Sequence, residues 1–161
     1  MQTVNQQVFQ AIAAVTPEHF EAAIGDKWSV GQHLDHLIRS VRPLNMLFSF
    51  SIILRWFGTA NRPSRSYEEL VTKYQAALAK GGRAMGQFIP RKVNAAEKDR
   101  LLETYKKQHD KLIQKSAKWS EKDLDKFIIP HPLIGRLTVR EMMFFTVYHN
   151  EHHLKIISGS K

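Results

Sequence analysis

No cysteine occurs among the 161 residues, which removes disulfides, thiolate metal sites and a cysteine nucleophile together. The absence leaves the compartment open, because a cysteine-free chain folds equally well in reducing and oxidising surroundings. Long apolar runs are missing as well. The greasiest stretch, Leu44–Trp56, is interrupted by Asn45, two serines and Arg55. It falls well short of the roughly 20 apolar residues a membrane-spanning helix needs. The opening residues, Met1 to Gln7, carry neither the basic nor the apolar region of a secretory signal. A cytoplasmic chain without a membrane segment is therefore expected. Strand-like alternation is almost absent, as are internal repeats and low-complexity tracts.

The composition that remains suits one helical domain, expected to span residues 1–161. A hydrophobic fraction of 43% is enough for one packed core without metal or disulfide staples. The formal charge is +9, a balance that can attract nucleic acid, anionic lipid or an acidic substrate. Much of the excess lies in Lys98–Lys126, interleaved with Glu97, Asp99, Glu103 and Asp110. That reads as a solvated helical face. No aromatic-basic alternation or RNA-recognition motif accompanies it, so specific nucleic-acid binding is not expected.

Helix starts recur along the chain. Ser29 with Gln32, Ser66 with Glu69, Asn94 with Glu97, Ser120 with Asp123 and Thr138 with Glu141 approximate capping boxes. Thr16 before Pro17 is a further start. These signals predict helices near 3–14, 17–24, 29–57, 67–80, 95–118 and 139–157, with a helical turn at 121–125. Pro43 is expected to kink or split the long helix, and 58–65, 81–93 and 126–137 read as loops. Val30, Leu34, Leu37, Val41, Leu44 and Phe48 form one apolar seam. Met142, Phe145, His149, His152 and Ile156 form another. The expected fold is all-α, a four-helix bundle of 3–24 (broken), 29–57, 95–118 and 139–157, with 67–80 packed outside as an accessory.

The run Tyr148-His149-Asn150-Glu151-His152-His153 is the most informative stretch. His149 and His153 are four apart, so a helix projects both imidazoles from one face, a spacing that suits one shared metal ion. Such pairs are common on helices, and a lone pair is more often exposed or hydrogen-bonded in a core. The motif is not that of a zincin, because Asn150 follows His149 where a Glu is needed. Nor is it ferritin-like, since Thr146 and Asn150 stand where Glu would precede each histidine. A third ligand has to come from another helix, where His33 and His36 both flank the seam. Either can reach inward. Asp35 and Glu151 are expected to face solvent or to support the ligands from behind. His19 and His109 lack comparable spacing; His131, between Pro130 and Pro132, sits in a segment that could cover the site.

Two segments together resemble a known family. The run Trp28-Ser29-Val30-Gly31-Gln32-His33-Leu34-Asp35-His36-Leu37 looks like the first signature of the DinB-like (YfiT-like) superfamily of metalloenzymes. Gly135-Arg136-Leu137-Thr138 leading into His149-Asn150-Glu151-His152-His153 is similar to the second. The resemblance implies a four-helix bundle of DinB/YfiT-like type whose ligands are His36, His149 and His153, favouring His36 over His33. It implies a divalent ion (nickel, zinc or iron), and it also suggests homodimers. Many relatives carry glutamine three residues after the last ligand, where this chain has Ile156.

Some relatives are S-transferases or isomerases using low-molecular-weight thiols such as bacillithiol or mycothiol, and others are described as hydrolases. The resemblance thus implies a metal-dependent enzyme acting on a small molecule, with a thiol as one candidate partner. No carboxylate is assigned as general base, and no catalytic residue is named. The alternative is a non-catalytic helical binding module with structural histidines and a basic partner-binding surface. Membrane association through Leu44–Phe57 is disfavoured, because that segment fits a buried helix.

Overall fold

The small polar residues singled out above do begin helices. Ser29 accepts a hydrogen bond from the Gln32 amide while the Gln32 side chain accepts from the Ser29 amide. The same reciprocal pairing occurs at Ser66 with Glu69 and at Thr138 with Glu141. Each pair satisfies two amides that the first helical turn leaves unpaired. The computed structural model describes residues 1–23 and 25–159, with Ser51 by its backbone alone. Ile24, the last residue of the expected second helix, and Ser160 and Lys161, the end of the expected domain, lie outside the described residues.

The helices are α1 (Gln2–Ala13), α2 (Pro17–Glu21), α3 (Val30–Ser49), α4 (Leu54–Phe57), α5 (Tyr67–Ala79), α6 (Lys98–Ser116), α7 (Glu121–Lys126) and α8 (Val139–Gly159). The bundle consists of α1, α3, α6 and α8; α6 packs on α1 and α3, and α8 on the same two helices. Helix α5 lies against the outside of α8, as expected of the accessory. Two apolar clusters fill the interior. One joins Val8, Ile12, Phe20, Leu34, Leu37 and Leu101. The other joins Val41, Leu44, Leu54, Leu112, Leu137 and Met142. The whole predicted seam of α3 is buried.

Four expectations need correction, the first being that Leu44–Phe57 forms a buried helix: Phe50, Ile52 and Trp56 are more than half exposed. Helix α3 does not divide at Pro43 but runs on to Ser49, because buried Val41, Leu44, Leu47 and Phe48 hold both sides of the proline in the core. It ends instead at Phe50, followed by a 3-10 turn, Ser51–Ile53. Near this end the Asn45 carbonyl also accepts from the Ser49 hydroxyl (2.8 Å) and the Lys115 ammonium (2.7 Å).

The segment 126–137 is not all loop. Ile128–His131 pairs antiparallel with Gly135–Thr138 in a two-stranded hairpin, β1 and β2. Pro130 is tolerated because a two-stranded sheet consists of edges only. Gly135, at φ +78°, supplies the left-handed residue that closes the three-residue loop.

The buried face of α8 is also rotated from the predicted one. It comprises Met142, Thr146, His149, Asn150, His153 and Ile157, whereas Ile156 is exposed and Phe145 and His152 are half-buried. The half-buried aromatics of α8, Phe144, Phe145 and Tyr148, serve a second contact surface towards Tyr67 and Tyr74 of α5. That second surface widened the apolar pattern and displaced its apparent centre.

Gly31 admits α2 against the start of α3. A Cβ there would stand 2.9 Å from the fully buried Phe20 ring and 3.1 Å from the Phe20 carbonyl oxygen. Gly31→Ala is therefore expected to lower stability by about 1–2 kcal/mol, overpacking outweighing the gain in helix propensity. Urea denaturation checks this, and an unchanged or higher midpoint would contradict the close packing.

Candidate metal centre

Helix α3 brings His33 and His36 to the interior three residues apart, while α8 brings His149 and His153. Each helix is pinned near these residues by a buried carboxylate. Asp35 accepts from the Arg39 guanidinium (2.5 Å) and from the Arg91 amide (3.1 Å), tying α3 to the segment that contains Phe88. It is buried behind the histidines and does not face solvent. Glu141, fully buried at the start of α8, accepts from Arg62 at 2.6 and 2.8 Å and from the Arg65 amide at 2.7 Å. These charge-assisted bonds fix where α8 enters the bundle. Glu151 faces α5, where it accepts from the Tyr67 hydroxyl at 2.6 Å.

The three histidines implied by the resemblance converge. His36 Nε2 lies 3.0 Å from His149 Nε2, which in turn lies 3.1 Å from His153 Nε2. One nitrogen from each of the three rings falls within 4.8 Å of the others, and all three residues are buried. Ligands at 2.0–2.2 Å around a tetrahedral ion would stand roughly 3.3–3.6 Å apart, so a small outward adjustment admits one.

The outer nitrogens hold the rings in place. His36 Nδ1 donates to the Phe88 carbonyl oxygen at 2.6 Å, which leaves an unprotonated Nε2 facing the cluster. His153 Nδ1 is paired with His33 Nδ1 at 2.8 Å. His33 is thus a buried partner of a candidate ligand, neither a half-exposed neighbour nor a member of the triad. Trp28 covers the group, its ring 5.0 Å from His36 and stacked at 6.4 Å over His153. Phe145 stacks on His149 from another side, 5.0 Å away.

Burial disfavours charged imidazoles throughout the cluster. It holds His149 and His153 well below the ordinary histidine range, each further opposed by its neighbours in the cluster. His36 is lowered for the same reason, although the Phe88 carbonyl and Asp35 pull the other way. His33 is pushed down to about 4. At neutral pH the rings are uncharged, the form in which imidazole binds metal. The donor set therefore suits a divalent ion of borderline softness.

The triad forms part of the wall of a cavity of about 960 Å³. His131 and His152 also line it, whereas His109 is buried elsewhere, packed on Tyr105 with both ring nitrogens unpartnered among the described residues. His19 lies at the exposed margin. Ile156 stands at the mouth, where an apolar side chain cannot reproduce the hydrogen bonds of an amide. The Phe88 carbonyl carried no sequence signal, being a main-chain atom 52 residues from the ring it holds. The pairing of His33 with His153 was foreshadowed only by the placement of His33 beside the seam.

A model of the DinB superfamily matches residues 1–157. Comparison with curated proteins gives no match. Among the described residues, no helix is long and apolar enough to cross a membrane.

Burial makes stability depend on pH in a definite direction. His33, His109 and His131 are each depressed to about 4 in the folded chain, against about 6.5 when unfolded. Their neutral forms favour the fold above about pH 6.5, and that contribution is lost as pH falls through 4. Chelator-treated protein is expected to lose urea resistance steeply between those limits. A midpoint that stays flat down to pH 4.5 would contradict the burial of neutral imidazoles.

Proposed function

The chain belongs to the DinB superfamily, and on that footing we propose that it is a divalent-metal-dependent enzyme acting on a small molecule in the cavity beside the triad. The observation that carries this reading is the convergence of three neutral imidazoles on the wall of a cavity that reaches the surface. An ion held by three neutral ligands keeps its full charge and open positions, with which it can acidify water or a thiol or polarise a substrate oxygen.

The chain's own residues define the rest of the chemistry. The Phe88 carbonyl and His33 keep two ligand rings in fixed orientation. Trp28 and Phe145 close two sides of the cluster. The carboxylates closest to the ligands in sequence are committed elsewhere, Asp35 to Arg39 and Glu151 to Tyr67. Among the described residues that line the cavity, the one carboxylate is Asp26, on the exposed margin. Half-buried His152, 5.2 Å from the His153 ring, is the group best placed to move a proton.

A site so poor in basic carboxylates favours a thiol over water as the nucleophile. A thiol ionises near 8.5 without help, water near 15.7, so far less assistance is needed. Thiol-dependent S-transfer is therefore the preferred activity and hydrolysis the second. The half-buried histidine supports either, whereas the scarcity of carboxylates supports the first.

Protein purified without an affinity tag is expected to contain about one divalent ion per chain, and the H36A/H149A/H153A variant almost none. Metal content unchanged in that variant would remove the site assignment. Cobalt-substituted protein is expected to gain a near-ultraviolet charge-transfer band when 2-mercaptoethanol is added. If metal binds and no such band appears, the thiol reading fails while the metal site stands.

A further inference from the structure

We infer that His131 is a positioning residue, a fixed neutral donor that binds an acceptor atom on an otherwise apolar small molecule in the cavity; this rests on the reading of that cavity as the substrate site. Its Nδ1 accepts from the amides of Leu133 (3.2 Å) and Ile134 (3.3 Å) across the hairpin loop. A nitrogen that accepts carries no proton, so the neutral ring must be protonated at Nε2. Among the described residues Nε2 has no hydrogen-bond partner. It is not sealed from solvent as the nitrogens of His109 are, and the ring lines the cavity, so this N–H is placed to meet a ligand there.

The ring cannot easily turn away. It meets the Phe145 ring edge-on at 4.3 Å and the Tyr74 ring at 6.1 Å and 90°. Two amides aimed at Nδ1 also resist protonation there, in keeping with the depressed basicity of this histidine. His131 therefore offers one N–H in one direction and takes no part as an acid or base at neutral pH. Phe145 stands between it and His149, touching both. The acceptor bound by His131 and the group that meets the triad are consequently different parts of one ligand, several bonds apart.

The walls indicate what joins those parts. Leu37, Val41, Leu44, Leu47, Leu133 and Met142 line the interior. The mouth carries Met46, Met85 and Ile89, each more than half exposed. A cavity of about 960 Å³ is at the upper end of the range usual for small-molecule sites. Walls that are largely apolar around the oriented His131 donor favour a hydrophobic chain or ring bearing a carbonyl or similar acceptor. Hydrogen-bonded acceptors are favoured there because an unpaired buried polar group is costly.

The test uses metal-loaded protein and two probes of equal length, 2-nonanone and 1-nonene, competing with the fluorophore 1-anilinonaphthalene-8-sulfonate. The variants are His131→Asn and His131→Phe. Asparagine can still accept the two loop amides but stops short of the Nε2 position; phenylalanine keeps the ring packing without the donor. In both, the ratio of ketone to alkene affinity is expected to fall roughly three- to tenfold, the worth of one hydrogen bond. Alkene affinity and metal content are expected to stay near those of the wild type. If one variant unfolds, the other decides the result. A ratio unchanged in a folded variant overturns the proposal. Failure of both probes to compete in the wild type also overturns it, together with the cavity reading, and metal content separately reports on the triad.

Discussion

Burying an imidazole is costly unless its ring nitrogens find partners, and α3 and α8 bury four of these rings against one another. The surrounding architecture follows from that requirement. His36 turns one nitrogen to the Phe88 carbonyl and His153 turns one to His33, so the remaining Nε2 atoms face each other and His149. Desolvation keeps the rings neutral, and neutral rings whose Nε2 atoms stand about 3 Å apart form a donor set that a cation can complete. The same burial that makes the cluster expensive in the metal-free chain leaves three neutral donors that could hold an ion.

Such a cluster needs rigid support, which comes from two buried carboxylates. Asp35 fastens the Phe88 segment to α3 through the Arg91 amide, and Glu141 fastens α8 through Arg62 and Arg65. Removing one cation from either arrangement leaves a buried carboxylate with fewer partners and is expected to destabilise the fold. A polar layer joins α6 and α1 to the same face of α8: Asn150 donates to Asn5 and lies 3.4 Å from the Tyr105 hydroxyl. Above and below, the two apolar clusters supply the burial that holds the helices together.

Periodicity made the helices and the buried seam of α3 legible, and the capping boxes placed their starts to within a few residues. The convergence of His36, His149 and His153 was legible through the two signatures taken together, since His33 and His36 flank the seam alike. What stayed hidden was non-local. No pattern in the sequence reveals that a main-chain carbonyl at Phe88 holds His36, or that Arg62 and Arg65 neutralise Glu141 across the fold. The hairpin was masked because prolines and a glycine read as loop punctuation, although the pair Ile128-Ile129 carried a weak strand signal. The face of α8 was misplaced because its aromatics serve two contact surfaces, towards the bundle and towards α5. Asp35 was ambiguous for a similar reason: burial of a carboxylate depends on cations that arrive from elsewhere in the chain.

On the proposed reading, His36, His149 and His153 share one divalent ion through their Nε2 atoms. Anomalous diffraction recorded at the absorption edge of the metal found in the purified protein tests it most directly. One anomalous peak per chain is expected, about 2.0–2.2 Å from all three Nε2 atoms, with His33 and His131 outside the coordination sphere. A peak bound by only two of these rings, or one centred on His33 or His131, would contradict it.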